Sequence, residues 1–176
     1  LVHRGKMSSV RDSDEVIIGV PEDRGILANK GRAGAAKGPD DVRRRLYKLT
    51  PGFNMDLDRI RVIDAGNIST KGLTLEEVHL ALQEAVSDAV SRGGIPLVIG
   101  GGHDLTYPGL AGLVQGAGLK KDSLGLINVD SHLDVRTDES GINSGTSFYR
   151  ALTQLPNKAL SGNAFVEFAI QAPYNS

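Results

Sequence analysis

Residues 124–136, L-G-L-I-N-V-D-S-H-L-D-V-R, place a short apolar run directly before three potential metal ligands. The run has the length and composition of a buried parallel strand. Asp130, His132 and Asp134 alternate with other residues, and in extended backbone this spacing puts their side chains on one side. A polar loop with Asp residues at turns is the simpler interpretation, but it leaves the imidazole unexplained. Because hard or borderline divalent metals prefer carboxylates and imidazoles, the stretch predicts a metal site.

A second apolar run, Ile95–Ile99, leads into three glycines and then His103. The glycines allow the backbone to turn tightly and to approach another segment closely. A lone His in this position would ordinarily be a turn residue. In an open parallel sheet, however, ligands bind outside the carboxyl ends of the strands. His103 is therefore predicted to face the same crevice as the first cluster and to serve as a fourth ligand.

Strand and helix signals alternate along the chain, which predicts an α/β fold with a mostly parallel sheet and helices on both faces. Three further strands are predicted, at Val16–Val20, Ile60–Ile63 and Val166–Gln171. Helices are predicted over residues 39–49, 74–92 and 108–116, with another beginning at Phe148. The helix after Thr74 has the clearest signal, because Thr74 and Glu77 form a capping box before an apolar stripe. His79 lies beside this stripe and is interpreted as a surface or packing residue outside the site.

Composition excludes several classes of protein. The chain has 176 residues, enough for one domain with a real core. Its net charge of -1 gives no reason to expect nucleic acid or an anionic membrane as a partner, and no apolar run has membrane-spanning length. The absence of cysteine excludes disulfides and thiolate metal sites and suits the cytoplasm. Residues 1–14 are polar and without periodicity, so they are expected to fray or to derive from cloning, and residues 15–176 are expected to form one domain.

The motifs G-G-G-H-D at 100–104 and N-V-D-S-H-L-D-V-R at 128–136 resemble those of the ureohydrolases, a family that includes arginase, agmatinase and formimidoylglutamase. The resemblance extends from about Val16 to about Gln171. A glycine-rich loop at 29–39 precedes these motifs, and S-G-T-S-F at 144–148 follows them. The resemblance implies an arginase-like three-layer α/β/α sandwich and assembly into homo-oligomers.

The same resemblance implies a binuclear manganese hydrolase that cleaves linear C–N bonds of small amidines or guanidines. His103 and Asp134 would bind one Mn2+, His132 would bind the other, and Asp130 would bridge them. Asp130 and His132 would be the catalytic residues, because a hydroxide that bridges the two metals would attack the formimino or guanidinium carbon there. Asp104 would lie behind the ligands and orient a ligating His ring.

Arg136 is the residue that bears most directly on the substrate. Arginase-like chains usually carry Asn at this place, whereas Arg resembles formimidoylglutamases and could bind a glutamate carboxylate through two hydrogen bonds. Ser144 and Thr146 would add hydrogen bonds, and Asn29 belongs to a loop near the site. Formimidoylglutamate is therefore the expected substrate, with arginase or agmatinase activity as the alternative. Arg136 could instead form a surface ion pair with one of two acidic neighbours, Asp138 or Glu139.

One expected feature of the family is missing. Family members carry a second acidic cluster, D-x-D followed by D-P, beyond the region where this chain ends, but only Glu167 is acidic after Gly141. The resemblance therefore implies C-terminal truncation, with sheet strands lacking between those that end at His103 and Asp130. These two strands would pair directly, or be joined by another chain or by more of the same protein. Two Mn2+ are expected in a complete enzyme and at most one here. A non-catalytic ureohydrolase-like protein with weak or no metal binding is the alternative.

Overall fold

The computed structural model describes residues 2–50 and 60–175; Leu1, residues 51–59 and Ser176 lie outside this description. In the described ranges the strands are β1 (Val2–Arg4), β2 (Glu15–Gly19), β3 (Val62–Asn67), β4 (Ile95–Ile99), β5 (Leu124–Val129) and β6 (Leu160–Phe168). The helices are α1 (Arg24–Ala28), α2 (Gly38–Leu46), α3 (Leu75–Ser91), α4 (Thr106–Gly116) and α5 (Ser147–Gln154). None of these helices is both long and apolar enough to cross a membrane.

Four parallel strands form the first sheet, in the order β1-β3-β2-β4. The central strand β2 carries three β-branched residues, Val16 to Ile18, after Glu15. These three residues are buried because the strand has a neighbour on each side and α3 across one face. The buried stripe of α3 packs into this core through Val78, Leu82, Val86 and Ala89. As predicted, α3 begins with a capping box, in which Thr74 Oγ1 accepts from the Glu77 N–H and Glu77 accepts from the Thr74 N–H.

The second sheet contains β5 and β6, which are also parallel. Helices α4 and α5 cover one face of this sheet, around Ala111, Val114, Leu124 and Ala151. On the opposite face Ile127 pairs with Val166 and Val129 with Phe168, and all four side chains are at least half exposed. We call these four residues the open face. Within residues 2–50 and 60–175, β4 and β5 do not pair with each other, so direct pairing of the two ligand-bearing strands does not occur.

The prediction that residues 1–14 fray is wrong for residues 2–14. Strand β1 pairs with β3, with Val2 opposite Val62, and Val10 is buried in the first core. Backbone pairing with a strand about 60 residues away leaves no local pattern in the sequence, which explains the error. The predicted strand bounds also differ from the structure. β3 continues to Asn67, and β6 begins at Leu160. The early start of β6 was not predicted because the first half of this strand is mostly polar and gives no apolar signal.

Arg43 of α2 is buried although it carries a charge. Its Nε and Nη2 donate to the two carboxylate oxygens of Asp64 at 2.8 and 2.9 Å, and Nη2 also donates to the Gly66 carbonyl. Asp64 accepts the backbone N–H of Gly66 as well. This ion pair fastens α2 to the carboxyl end of β3.

Candidate metal centre

His103 lies in a short 3-10 turn, His103–Leu105, that follows β4 and the three glycines. The glycine turn presses against the backbone after β2. A Cβ on Gly101 would stand 1.8 Å from the carbonyl oxygen of Glu22, and that same oxygen accepts the N–H of Gly102 at 2.9 Å. Glycine is therefore required here for close approach of two chain segments. The packing directs His103 towards the carboxyl end of β5.

His103, Asp130 and Asp134 converge where β4 and β5 end. His103 Nδ1 lies 2.7 Å from Asp134 Oδ2 and 3.2 Å from Asp130 Oδ2. One donor atom from each of the three residues lies within 4.8 Å of the other two. One imidazole nitrogen and two carboxylates form a donor set that suits Mn2+ and other hard or borderline divalent ions. The structure thus brings together three of the four predicted ligands, and their chemistry fits the expected metal.

His132 lies outside this group but beside Asp130, where the family resemblance places the ligand of a second metal, and its role as a ligand stays a prediction. Both the backbone N–H and the ring Nδ1 of His132 lie next to Asp130 Oδ1, at 2.9 and 3.1 Å, and the side chain is half exposed. Asp134 has a φ of 47°, in the left-handed region. The chain also bends at residues 130–132, so it does not continue as extended backbone through the three residues Asp130, His132 and Asp134.

Two of the three converging residues, His103 and Asp130, have shifted pKa values. The hydrogen bond from His103 to Asp134 raises the pKa of His103, an effect that exceeds the lowering by burial, and the charges of Asp134 and Asp130 add to it. Burial raises the pKa of Asp130, but hydrogen bonds from His132 and the nearby His103 outweigh burial, so this pKa lies below its ordinary value. The site therefore stabilises positive charge between two carboxylates.

The start of α5 holds both ligand-bearing segments, which sequence reasoning missed. Ser147 Oγ donates to the His103 carbonyl at 2.6 Å, and the Phe148 N–H donates to the Asp134 carbonyl at 3.0 Å. The Phe148 ring also meets the His103 ring edge-on, with centroids 5.3 Å apart. No local pattern marks these contacts, because Ser147 and Phe148 look like an ordinary helix start.

Asn175 supports the ligand loop from the other side, and it too was missed. Its Nδ2 donates to the Ser131 carbonyl at 2.8 Å, and its Oδ1 accepts the N–H of Leu133 at 2.9 Å. The N–H of Gln171 donates to the Ser131 carbonyl as well. These bonds fix the backbone on either side of His132.

Three of the four residues predicted to bind substrate form one hydrogen-bonded chain. Arg136 Nη1 donates to Asn29 Oδ1 at 2.6 Å, and Asn29 Nδ2 donates to Ser144 Oγ at 3.0 Å. Thr146 is a correction: it is fully buried and its Oγ1 donates to the Asn143 carbonyl, so it cannot contact a substrate. In the described part of the chain Arg136 forms no ion pair with the two acidic neighbours.

Asp104 and Glu167 take roles that the sequence did not predict. The Asp104 carboxylate lies 2.7 Å from His79 Nε2, so it contacts this ring rather than the ring of a ligand. His79 is buried, which agrees with the packing role that was one of its two predicted alternatives. Glu167 Oε2 accepts from Asn128 Nδ2 at 2.8 Å, and burial raises the pKa of Glu167. Beside His103, a cavity of about 490 Å³ extends along β4 and α4 and gives the site access to solvent.

Comparisons with known proteins identify the family of this chain. The model of the Arginase family matches residues 13–176. The formimidoylglutamase of Clostridium tetani (strain Massachusetts / E88) is 32% identical over 161 residues, which cover 90% of this chain and 47% of that protein. The formimidoylglutamase of Cupriavidus pinatubonensis is 41% identical over 135 residues, which cover 76% of this chain and 41% of that protein. The chain thus spans less than half the length of these curated relatives.

Solved structures show the same fold. The crystal structure of Trypanosoma cruzi formiminoglutamase with Mn2+ matches with a TM-score of 0.82 and 38% identity, covering 99% of this chain and 60% of that one. Formimidoylglutamase from Bacillus subtilis, at 21% identity, matches in fold with a TM-score of 0.78. The predicted parallel α/β fold of the arginase-like class is therefore confirmed.

Proposed function

Because this chain belongs to the arginase family, we propose that it is the metal-binding part of a manganese hydrolase acting on linear C–N bonds, with formimidoylglutamate as the substrate. The observation that carries the proposal is the convergence of His103, Asp130 and Asp134 at the carboxyl ends of two parallel strands. The relatives named formimidoylglutamase, and the similar structure that contains Mn2+, support the choice of metal and substrate.

In the proposed site, His103, Asp130 and Asp134 hold one Mn2+. Asp130 also faces His132, which is placed to reach a second ion when the remaining ligands are supplied. Bound manganese would supply a coordinated water of lowered pKa and polarise the substrate. Two divalent ions bring four positive charges against two carboxylates here, so mutual repulsion limits this chain to one weakly held Mn2+.

Arg136 recognises the carboxylate of the substrate in this proposal. Asn29 holds the guanidinium through Nη1, and Ser144 in turn holds Asn29, so the guanidinium is oriented before the substrate arrives. The other N–H groups of the planar Arg136 guanidinium can then bind a carboxylate through two hydrogen bonds. Agmatine, an amine without a carboxylate, gains nothing from this contact, which is why formimidoylglutamate is favoured over it.

Manganese titration of the 176-residue chain by calorimetry tests the metal assignment. We expect one weak site. Asp134→Asn should weaken it by more than about tenfold, since even groups behind metal ligands contribute that much. Asp138→Asn removes a nearby carboxylate outside the convergent group and serves as the matched control. No binding by the unaltered chain would refute the metal assignment, and two tight sites or robust turnover would refute the limit of one ion.

Kinetics on a complete enzyme that carries this chain test the substrate assignment. Arg136→Ala should raise KM for formimidoylglutamate with little change in kcat, because it removes binding that ground and transition states share. Arg136→Lys should recover only part of the loss, since Lys keeps the charge but lacks the planar guanidinium. Agmatine turnover is the control. An equal loss with agmatine would show that Arg136 does not recognise a carboxylate.

A non-catalytic member of the family that binds metal weakly is the second candidate. Glu167 supports it, because this carboxylate is already bonded to Asn128 and is not directed at the three converging residues as a further ligand. The manganese titration separates the two candidates. Homo-oligomeric assembly and a cytoplasmic location are also part of our proposal, and they rest on family resemblance and on the absence of cysteine.

A further inference from the structure

His79 and Asp104 form a buried pair beside the 3-10 turn that begins at His103. Their side chains are 6% and 1% exposed, and His79 Nε2 lies 2.7 Å from Asp104 Oδ2. Because an ionised carboxylate can only accept, the imidazole must donate through Nε2. The bond therefore fixes both the tautomer and the orientation of the His79 ring.

The pair connects three segments of the chain. Asp104 belongs to the 3-10 turn that begins at His103, and His79 belongs to α3, whose stripe is anchored in the first core. The Asp104 carboxylate also fills the space beside Gly25 of α1 and Gly102, where an added Cβ would come within 2.0 and 2.2 Å of Oδ1. Movement of the Asp104 side chain would thus disturb the turn, α1 and the contact with α3 together.

Stability alone is a poor explanation for the pair. Within residues 2–50 and 60–175, neither His79 Nδ1 nor Asp104 Oδ1 has a hydrogen-bond partner, although both atoms are buried. Buried polar atoms without partners destabilise the fold, and well-packed apolar residues in place of a buried ion pair are often as stable or more stable. A role at the metal centre is a better explanation, because Asp104 directly follows the predicted ligand His103 in the chain.

The turn that carries His103 is held from two sides. On one side, α5 fixes it through Ser147 and Phe148. On the other side, the bond from Asp104 to His79 fixes it to α3. Loss of His79 would remove one of the contacts that keep His103 Nδ1 directed at Asp130 and Asp134, and would leave those from α5 and the bond from the Gly102 N–H to the Glu22 carbonyl.

We infer that His79 is a positioning residue of the metal centre, which acts through Asp104 to hold the His103 turn in the geometry that the metal requires. The inference about metal affinity rests on the proposed function. The holding of the turn does not, so the two can fail separately. Positioning groups of this kind typically change metal affinity by roughly 10–100-fold.

Three variants of the 176-residue chain test the inference. His79→Leu removes the bond but keeps the negative charge of Asp104, so a purely electrostatic effect would leave Mn2+ affinity unchanged or raise it. Positioning instead predicts a fall of about tenfold. His79→Gln retains an N–H that can reach Asp104 and should recover part of the affinity. Asp14→Asn is the matched control, because Asp14 is equally buried and bonded to Arg61 but lies before β2, at the opposite end of the sheet.

Hydrogen exchange of the metal-free protein supplies a readout that does not depend on manganese. His79→Leu should accelerate exchange at residues 102–106, whose backbone includes the bond from the Leu105 N–H to the Gly102 carbonyl, while Asp14→Asn should not. If the unaltered chain binds no Mn2+, the proposed function fails, yet local acceleration still supports the inference. Unchanged exchange in His79→Leu, or equal losses with Gln and Leu, would overturn it.

Discussion

Strands β2 and β5 have similar apolar sequences but very different environments. Ile17 in the middle of β2 is fully buried, whereas Ile127 and Val129 of β5 are each 69% exposed. β2 has β3 and β4 on its two sides and α3 across a face, while β5 has β6 alone and helices on one face only. The difference shows that an apolar strand is buried by its neighbours rather than by its own composition.

The candidate metal centre lies at the junction of these two regions. The first sheet supplies His103, and the second supplies Asp130 and Asp134. Leu113 of α4 packs against both cores and links the regions, and the start of α5 contacts both ligand segments. The geometry of the site therefore depends on how firmly the open region is held to the closed one.

The largest expected effect is the contrast between two equivalent substitutions in the two strands. Ile17→Ala should lower the free energy of unfolding by about 2–5 kcal/mol, because it removes buried methyl groups and leaves a cavity. Ile127→Ala should change it by less than about 0.5 kcal/mol, since its side chain is exposed. Urea unfolding followed by circular dichroism measures both. Comparable losses would show that the open face is covered in solution.

The second expected effect is self-association through the open face. Four large exposed apolar side chains on paired strands form a surface that favours contact with another copy. Ile127→Lys combined with Phe168→Lys should raise the dissociation constant by more than about tenfold, because burial of each such side chain contributes roughly 1.5–3 kcal/mol. Sedimentation velocity measures this change. Leu80→Lys, at an exposed apolar position on α3, is the control and should have no effect.

The smallest expected effect is a pH dependence of the metal-free junction. His103 has a raised pKa, so its contribution to stability is complete below its ordinary value of 6.5 and is lost as pH rises through the raised value. The lowered pKa of Asp130 has the opposite sense: its contribution is complete above 3.8 and is lost as pH falls through the lowered value. Unfolding is measured on protein kept metal-free with a chelator. The difference in free energy of unfolding between the unaltered chain and His103→Gln should shrink between pH 6 and pH 8. A difference that stays constant with pH would contradict a stabilising contact between charged His103 and the two carboxylates.

The sequence predicts those parts of the fold that have local causes. The capping box of Thr74 and Glu77 and the apolar run of β2 are both confirmed, because each depends on residues close together in the chain. Strand β1 was missed because its pairing with β3 depends on distant backbone groups. The burial of Arg43 could not be predicted for a similar reason, since Asp64, with which it forms an ion pair, lies 21 residues away in the chain.

The sequence also predicts those parts of the candidate site that have local causes. Ligand types at the ends of two strands were sufficient to bring His103, Asp130 and Asp134 together. The direction of His132 could not be predicted, because it depends on the turn after Asp130 rather than on residue spacing. The burial of Thr146 and the support from Asn175 arise from how the ligand loop packs, which no short motif encodes.

The left-handed backbone of Asp134 has a consequence for how this protein can evolve. Among residues with a side chain, Asp and Asn enter this conformation most readily, so a change to Glu, which keeps the charge, would strain the loop. A change to Asn, by contrast, fits the backbone and removes only the negative charge. Asp and Asn codons differ by a single nucleotide, so a variant that keeps this loop but loses one carboxylate of the candidate metal centre is one mutation away.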